Sequence, residues 1–419
     1  MRGCESDALG IKLLLLNGEG ALEPNVARMK FTSLFCGAGG LDLGFIKAGF
    51  EPVAAFDISA NAVRHYELNI GPHARVQDLA DPAFQLDECD LVIAGSPCQG
   101  FSTLGKRNHA DPRNKLLQRA VELAISARPK VIVLENVLGL TSGALKSYMD
   151  GAVLRLSLAG YKVLTQIVDA RDCGLPQARR RIVIIAAKGK FLFSFDENKV
   201  PMQCLGKIIY GAHAAANHQP ELLFGESLQI AKKIGPGQKL CDVRGGESAV
   251  HSWQIPEVFG SVSSGEVRIL ESTMRLRRRD RTREFGDGDP VEVCKIIREA
   301  GLKSTRLIDA LLKKQYLRLV NDKVELKRTF NGKYRRAVSI GASHTVDTRF
   351  SDPACFLHPS ENRGFTVREA ARIQGFPDHY VFHGRDRDSL KLIGNAVPPP
   401  MATMVAEVVS RGLVRARRV

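Results

Sequence analysis

The 419 residues of the chain are enough for about two or three domains, and 44% of them are apolar, which suffices for a sizeable buried core. The formal net charge of +15 favours a polyanionic partner, most simply nucleic acid, although a generally basic enzyme would carry the same excess. The nine cysteines are scattered, with no Cys-x-x-Cys and no zinc-finger spacing, which excludes a disulfide framework and a structural metal site. The composition therefore predicts a metal-free protein of a reducing cytoplasm.

Residues 1–29 contain no pattern of a membrane span or a secretion signal. The longest apolar run there, 13–16, is far shorter than a bilayer requires, and the long apolar region and cleavage site of a signal peptide are missing. We therefore expect an N-terminal extension at 1–29 and no membrane partner.

Residues 30–188 alternate short apolar runs with amphipathic segments. Strands are predicted at 31–35, 52–56, 91–94, 131–134, 162–168 and 181–187, and helices at 41–48, 60–69, 114–127 and 152–158. Alternation at this spacing is typical of βαβ units. It predicts an α/β domain with a Rossmann-like, mostly parallel sheet and helices on both faces.

The alternation ends near Gly189, and residues 189–361 are predicted to form a smaller, irregular domain. The segment 275–283 holds six arginines among nine residues, which fits either a solvated face or a strip of phosphate contacts. Within the domain, 290–328 has the order helix, turn, helix and hairpin that is typical of a winged helix. An ordinary helical insertion followed by a hairpin would have the same pattern.

Residues 362–419 return to helical patterning and are predicted to complete the first domain. A helix over 366–373 begins with Thr366 and Glu369 at capping-box spacing. The segment 392–398 is predicted to be a turn at a strand edge, and a final helix is predicted at 401–410.

Two loops that follow predicted strands contain the residues suited to chemistry. Cys98 stands beside a proline in the loop 95–102, where a buried structural cysteine and a nucleophile fit about equally. The glycine loop, residues 35–40, lies between the first strand and the first helix, where glycines let the backbone approach a ligand. Asp57 follows at the spacing at which dinucleotide enzymes bind ribose hydroxyls, and Asp78 lies after the next segment.

With these motifs in order, the sequence resembles the DNA (cytosine-5) methyltransferases over roughly 30–188 and 362–410. The resemblance rests on 35–40, 97–99, 135–137 after the fourth clear strand, 177–181, 368–372 with 374–377, and 394–399. It implies transfer of a methyl group from S-adenosylmethionine to C5 of a flipped-out cytosine in a specific DNA sequence, with no metal. The middle segment corresponds to the family's variable target-recognition region.

The resemblance also implies roles for single residues. Cys98 would add to cytosine C6, and Glu135 would hold or donate a proton at N3. Arg179 would hydrogen-bond O2 and support Glu135, with Arg181 as a packing and orienting partner. The implied cofactor residues are Phe35, Gly37, Ala38, Gly40, Asp57 on the ribose, Ile58 on the adenine, Asp78 near the adenine amino group, Pro97, Leu116, Asn395 and Val397. The implied DNA contacts are Gln99, Ser102, Arg275, Arg277, Arg278 and Arg279.

Two other functions fit parts of the sequence. A tRNA cytosine methyltransferase uses the same domain, but the long, basic segment 189–361 argues against it. A non-enzymatic DNA-binding relative or repressor would be favoured by loss of Cys98 or Glu135, and both are present. We expect a monomer acting on double-stranded DNA, either beside a separately acting restriction endonuclease or as an orphan modification enzyme.

Overall fold

The computed structural model describes residues 29–97, 115–189, 191, 193–283 and 286–417. The predicted N-terminal extension therefore lies almost wholly outside the described residues. So do Cys98, Gln99 and Ser102.

A seven-stranded sheet organises the first part of the chain, with strand order β3-β2-β1-β4-β5-β7-β6. The strands are β1 (Lys30–Leu34), β2 (Glu51–Asp57), β3 (Ala74–Val76), β4 (Leu91–Gly95), β5 (Val131–Val137), β6 (Lys162–Asp169) and β7 (Arg180–Ala187). Only β7 runs antiparallel to its neighbours β5 and β6; the other pairs are parallel. The predicted mostly parallel sheet is confirmed. The helices between its strands are α1 (Gly40–Lys47), α2 (Ala60–Asn69), α3 (Leu116–Ser126) and α4 (Lys146–Leu158).

The middle of the chain has short helices and three small sheets. The helices are α5 (Leu205–Ile209), α6 (Gly225–Lys233), α7 (Pro256–Phe259), α8 (Ser264–Arg279), α9 (Val293–Glu299) and α10 (Arg306–Lys313). The strands are β8 (Lys239–Cys241), β9 (Ala249–Val250), β10 (Leu317–Val320), β11 (Lys323–Leu326), β12 (Asn331–Lys333), β13 (Arg335–Arg336) and β14 (Phe356–Leu357). The predicted hairpin is confirmed: β10 pairs antiparallel with β11 around Asn321 and Asp322, whose φ angles are 48° and 60°.

Three helices follow: α11 (Val367–Gln374), α12 (Asp386–Asn395) and α13 (Pro399–Arg417). The predicted capping box of α11 is confirmed, since Thr366 accepts from the Glu369 N–H and the Glu369 carboxylate accepts from the Thr366 N–H. The predicted strand-edge turn at 392–398 is wrong, because α12 continues to Asn395. Gly394 is required there for packing, since a Cβ would lie 2.7 Å from the carbonyl carbon of Asp347.

The sheet is covered on both faces, as alternation along its strands requires. Ile93 and Val133 pack on the side of α1 and α13, whereas Val92 and Ile132 pack on the side of α3 and α4. Helix α13 lies along α1 so closely that a Cβ on Gly44 would overlap the methyl group of Ala402. The last helix therefore belongs to the same core as the first. None of the described helices combines the length and apolar character needed to cross a bilayer.

Candidate active site

A cleft of about 2400 Å³ opens at the carboxyl edge of the sheet. One wall is formed by the ends of β1, β2, β4 and β5 together with the start of the antiparallel β7, which meets them at the same edge. The other wall comes from 345–353, 364–367 and 385–397. Ligands of open α/β sheets bind at this edge, so the cleft is where the predicted site residues should lie.

The glycine loop forms part of this cleft in a tightly defined conformation. Phe35, Gly37 and Gly39 all have positive φ angles, of 55°, 55° and 72°. The Asp57 carboxylate fixes the loop, since Oδ2 accepts from the Gly37 N–H at 2.9 Å and Oδ1 accepts from the Ser59 N–H at 2.8 Å. Burial raises the pKa of Asp57, and these two N–H donors oppose the rise. The loop therefore presents a carboxylate and open backbone at the cleft.

A buried polar group behind the loop was missed by the sequence analysis. Asp42 in α1 accepts hydrogen bonds of 2.9 Å from the hydroxyls of Ser33 and Tyr66. Burial raises the pKa of Asp42 to about 7. The signal in the sequence is an aspartate between Leu41 and Leu43 in a short apolar helix, because an acid is retained in such a place only with partners.

Glu135 and Arg181 form a buried ion pair in the cleft wall. The Arg181 Nε donates to Glu135 Oε1 at 2.9 Å, and the two side chains are 15% and 10% exposed. Burial raises the pKa of Glu135, and the two cations Arg181 and Arg179 lower it by less than burial raises it. A carboxyl in this setting holds a proton at higher pH than an ordinary glutamate does.

The prediction that Glu135 follows its strand is wrong, because β5 runs through Glu135 to Val137. The extension comes from pairing on both sides, with Gly95 of β4 and Val183 of β7 opposite Glu135. Arg181 lies two residues from Val183, on the same face of β7. The register thus makes Glu135 and Arg181 diagonal neighbours.

The ion pair of Glu135 is with Arg181, and Arg179 acts on the same carboxylate through its charge. The Arg179 guanidinium is buried and donates to the carbonyl oxygens of Val346, Gly394 and Ala396. Its Nε has no hydrogen-bond partner among the described residues. Arg179 therefore joins the two walls of the cleft through its terminal nitrogens.

Comparison with known proteins identifies the family of the protein that contains this cleft. The sequence model of the C-5 cytosine-specific DNA methylases matches residues 29–411. The chain belongs to this family. It is 30% identical to the Type II methyltransferase M.AgeI of Thalassovita gelatinovora over 91% of this chain and 99% of that protein. It is 28% identical to the Type II methyltransferase M.DdeI of Desulfomicrobium norvegicum over 91% of this chain and 88% of that protein.

Solved structures show the same fold. One, described as a DNA modification methyltransferase encoded within a prophage of E. coli, superposes with a TM-score of 0.56 at 23% identity, covering 92% of this chain and 99% of the other. The Entamoeba histolytica methyltransferase EhMeth superposes with a TM-score of 0.52 at 13% identity, covering 92% and 99%. The family resemblance read from the sequence is confirmed, and the protein is a DNA (cytosine-5) methyltransferase.

Most residues that the resemblance placed around the cofactor line the cleft of this methylase. They are Phe35, Gly37, Ala38, Gly40, Asp57, Pro97, Asn395 and Val397. Ile58, Asp78 and Leu116 are not part of the described lining. Ile58 is 67% exposed, and the carboxylate of Asp78 accepts from the N–H of Ala80. No group of metal-ligating side chains occurs in the part of the methylase that the structure describes.

The arginines predicted to contact DNA divide into two groups. Arg275, Arg278 and Arg279 are exposed near the end of α8. Arg277 is 2% exposed and pairs with Glu325 of β11 at 3.3 Å. The prediction that Arg277 contacts phosphate is wrong for this structure, because its guanidinium faces the interior.

Proposed function

We propose that this methylase transfers a methyl group from S-adenosylmethionine to C5 of a cytosine flipped out of double-stranded DNA, with Cys98 as the attacking thiol. The observation that carries the proposal is the presence of the glycine loop and the Glu135–Arg181 ion pair on one cleft wall. The names of the relatives, Type II methyltransferases, support a role beside a sequence-specific restriction endonuclease.

The residues of the cleft fit the methyl donor. Asp57 is held by backbone N–H groups, and each oxygen keeps a lone pair for a ribose hydroxyl. No atom lies within 4 Å of the place where a Cβ on Gly37 would be, so space is free beside the loop. Gly40 has no side chain, and this allows the backbone of Val397 to pack against it. A Cβ at this position would overlap the Val397 carbonyl oxygen. When bound, the donor supplies an electrophilic methyl group activated by its positively charged sulfur.

The chemistry required of the protein is activation of cytosine C5, which is a poor nucleophile. A bond from the Cys98 sulfur to C6 shifts the C5–C6 π electrons to C5 and, through the ring, towards N3. A proton from Glu135 to N3 neutralises the charge that develops there. C5 then forms a bond to the methyl group as the bond from that methyl to the donor sulfur breaks, its electrons staying on the donor sulfur, and the N3 proton returns to Glu135. A base next removes the C5 proton, the electrons of that C–H bond form the C5–C6 double bond, and the Cys98 sulfur leaves with the electrons of its bond to C6.

Glu135 is suited to this role by its surroundings. Burial raises its pKa, so the protonated carboxyl persists towards neutral pH, and Arg181 holds the other oxygen in place. We assign the contact with cytosine O2 to Arg181, because both terminal nitrogens of Arg179 donate to backbone carbonyls of the opposite wall and Arg181 is already paired with Glu135. A nucleotide extruded into the cleft can reach both residues. A cytosine that remained stacked in the duplex could not.

Transfer of tritiated methyl from S-adenosylmethionine to plasmid DNA tests the proposal. The wild type should label DNA, and Cys98→Ser should lose at least about 100-fold of the rate because the nucleophile is gone. Glu135→Gln cannot donate its proton and should lose about 10²- to 10⁴-fold. The control is Cys89→Ser, which replaces a half-buried thiol that donates to the Leu91 carbonyl and keeps that donor. Label in tRNA alone, or full activity of Cys98→Ser, would contradict the proposal.

A substituted substrate isolates the covalent step. In DNA carrying 5-fluorocytosine, C5 has no proton to release after methylation, so the sulfur cannot leave. The wild type should then remain attached to the DNA on a denaturing gel when the methyl donor is present, and Cys98→Ser should not. Bisulfite sequencing of DNA from cells that express the methylase identifies the methylated sequence.

A further inference from the structure

Residues 263–328 contain more of the helices and strands of a winged helix than were predicted from the sequence. The unit begins with α8, after which Val291 forms an antiparallel bridge with Val324 of β11. Helices α9 and α10 and the antiparallel pair β10–β11 follow. The resulting order is helix, strand, helix, helix, strand, strand, with a helix-turn-helix at its centre. The predicted unit began at 290 and so left out α8, and it had a helix where Val291 forms the bridge.

The unit has its own buried core. Ile269 of α8, Ile296 of α9, Leu311 of α10 and Leu326 of β11 belong to one apolar cluster. The buried pair of Arg277 and Glu325 also joins α8 to β11 inside the unit. This packing fixes the orientation of α10 relative to the β10–β11 hairpin, which a DNA-reading surface requires.

One face of α10 is exposed and basic. Arg306, Asp309 and Lys313 follow one another at helical spacing and are exposed, while Ile308 and Leu311 are buried on the opposite face. Lys303 is exposed just before the helix. Across the described chain, neither Arg306, Lys303 nor Lys313 forms a salt bridge. Their charges are therefore available to an anionic partner.

Two exposed arginines of α8 differ in this respect. Arg275 and Arg279 both pair with Glu299 of α9, and Arg279 also pairs with Asp280. These pairs are within the protein and compete with phosphate. Other exposed cations of the unit form no salt bridge among the described residues, namely Arg268, Arg278, Arg298 and Lys327. The face of α10 is distinguished from them by its position, because a helix-turn-helix reads DNA with its second helix.

We propose that residues 263–328 form a winged helix that binds double-stranded DNA, with the exposed face of α10 in the major groove and the β10–β11 turn beside the backbone, and that α10 selects the sequence that is methylated. The proposal rests on the proposed function for its substrate. An α-helix with its side chains is about 10 to 12 Å in diameter, which matches the width of the major groove. In that groove Arg306 can donate to guanine, and Asp309 can accept from the amino group of cytosine or adenine.

The charge of the unit favours DNA over a protein partner. Residues 263–328 contain 17 lysines and arginines against 11 aspartates and glutamates. Basic groups without acidic partners bind phosphate in a manner that depends steeply on salt. If the α10 face bound a protein instead, its substitution would leave the salt dependence of DNA binding unchanged. The test below distinguishes these two outcomes.

Two matched triple variants of the full-length chain test the DNA contact. One is Lys303→Gln, Arg306→Gln and Lys313→Gln, on α10 and just before it. The other is Arg275→Gln, Arg278→Gln and Arg279→Gln on α8, which removes the same charge. The probe is a fluorescein-labelled double-stranded DNA of mixed sequence, titrated over a range of KCl concentrations without methyl donor. All six side chains are exposed, and equal thermal midpoints of the three proteins verify that folding is unchanged.

The α10 variant should lose about 10-fold or more in affinity, and its log–log salt slope should fall by about 2 to 3, near 0.9 for each lost phosphate contact. The α8 variant should stay within about threefold of the wild type. An unchanged α10 variant would overturn the proposal and point to a partner other than DNA. Equal losses in both variants would overturn it too, since net charge alone would then explain them.

Sequence selection has its own readout. Arg306→Ala and Asp309→Ala, each expressed in cells, should broaden the methylated sequence at one position in bisulfite sequencing. An unchanged sequence in both variants would overturn the claim that α10 selects it. The affinity measurement needs no methyl transfer. A wild type that labels no DNA would therefore contradict the proposed function and leave the result on DNA binding standing.

Discussion

Replacing Arg181 by glutamine should move the pH dependence of methyl transfer. The Arg181 Nε lies 2.9 Å from Glu135 Oε1, and both side chains are largely buried. Charges about 4 Å apart interact by about 4 kcal/mol at an effective dielectric constant of about 20, equivalent to about 3 pKa units. Carboxyls beside a guanidinium show shifts of about 1 to 3 units. Without this cation, the pKa of Glu135 should rise further, because burial then acts with less opposition.

The assay is single-turnover methylation of plasmid DNA, with saturating DNA and methyl donor, from about pH 6 to about pH 9. If protonated Glu135 serves N3, the alkaline limb of the rate should move to higher pH in Arg181→Gln, while the maximal rate falls because the carboxyl loses its anchor. The control is Arg155→Gln, because Arg155 forms an exposed ion pair with Glu122 outside the described lining of the cleft. An alkaline limb that stays in place, or moves to lower pH, would refute the assignment of Glu135 as the proton donor.

Three further substitutions test other parts of the structure. Gly40→Ala places a methyl group against the Val397 carbonyl oxygen, so calorimetry should show at least about 10-fold weaker binding of S-adenosylmethionine. Burial raises the pKa of Asp42 from 3.8 to about 7, so the wild type should lose about 4 kcal/mol of stability as pH rises from about 4 through 7. Urea unfolding of Asp42→Asn should lack this slope. Glu325→Gln leaves Arg277 buried without its counter-charge and should cost about 3 to 5 kcal/mol in urea unfolding.

The elements with strong periodicity were predictable, and the exceptions have physical causes. β3 is only three residues long and mostly exposed, so it has no apolar pattern. The end of α12 was predicted to be a turn because glycine and proline, here Gly394 and Pro398, are typical of turns. In the structure the glycine serves a close approach to Asp347, and the proline precedes the next helix.

Many of the residues that line the cleft were predictable, but their pairings were not. Motif order brought Glu135, Arg179 and Arg181 together, and all three line the cleft. The choice between the two arginines depends on the register of β5 and β7, which lie on either side of α4 and β6 in the chain. The burial of Arg277 depends likewise on Glu325, 48 residues away. Contacts set by such long-range register leave no local pattern to read.

The position of α13 has a consequence for how the protein is made. The glycine loop is supported by groups from far along the chain: the Tyr380 hydroxyl donates to the Ala38 carbonyl across 342 residues. During synthesis, α1 has no α13 to pack against until the last helix has left the ribosome. Residues 263–328 leave it earlier, by roughly 5 to 20 s at ordinary rates of synthesis. We therefore expect a chain that ends before α13 to lack methyl transfer, because the helix that packs against α1 beside the glycine loop is missing.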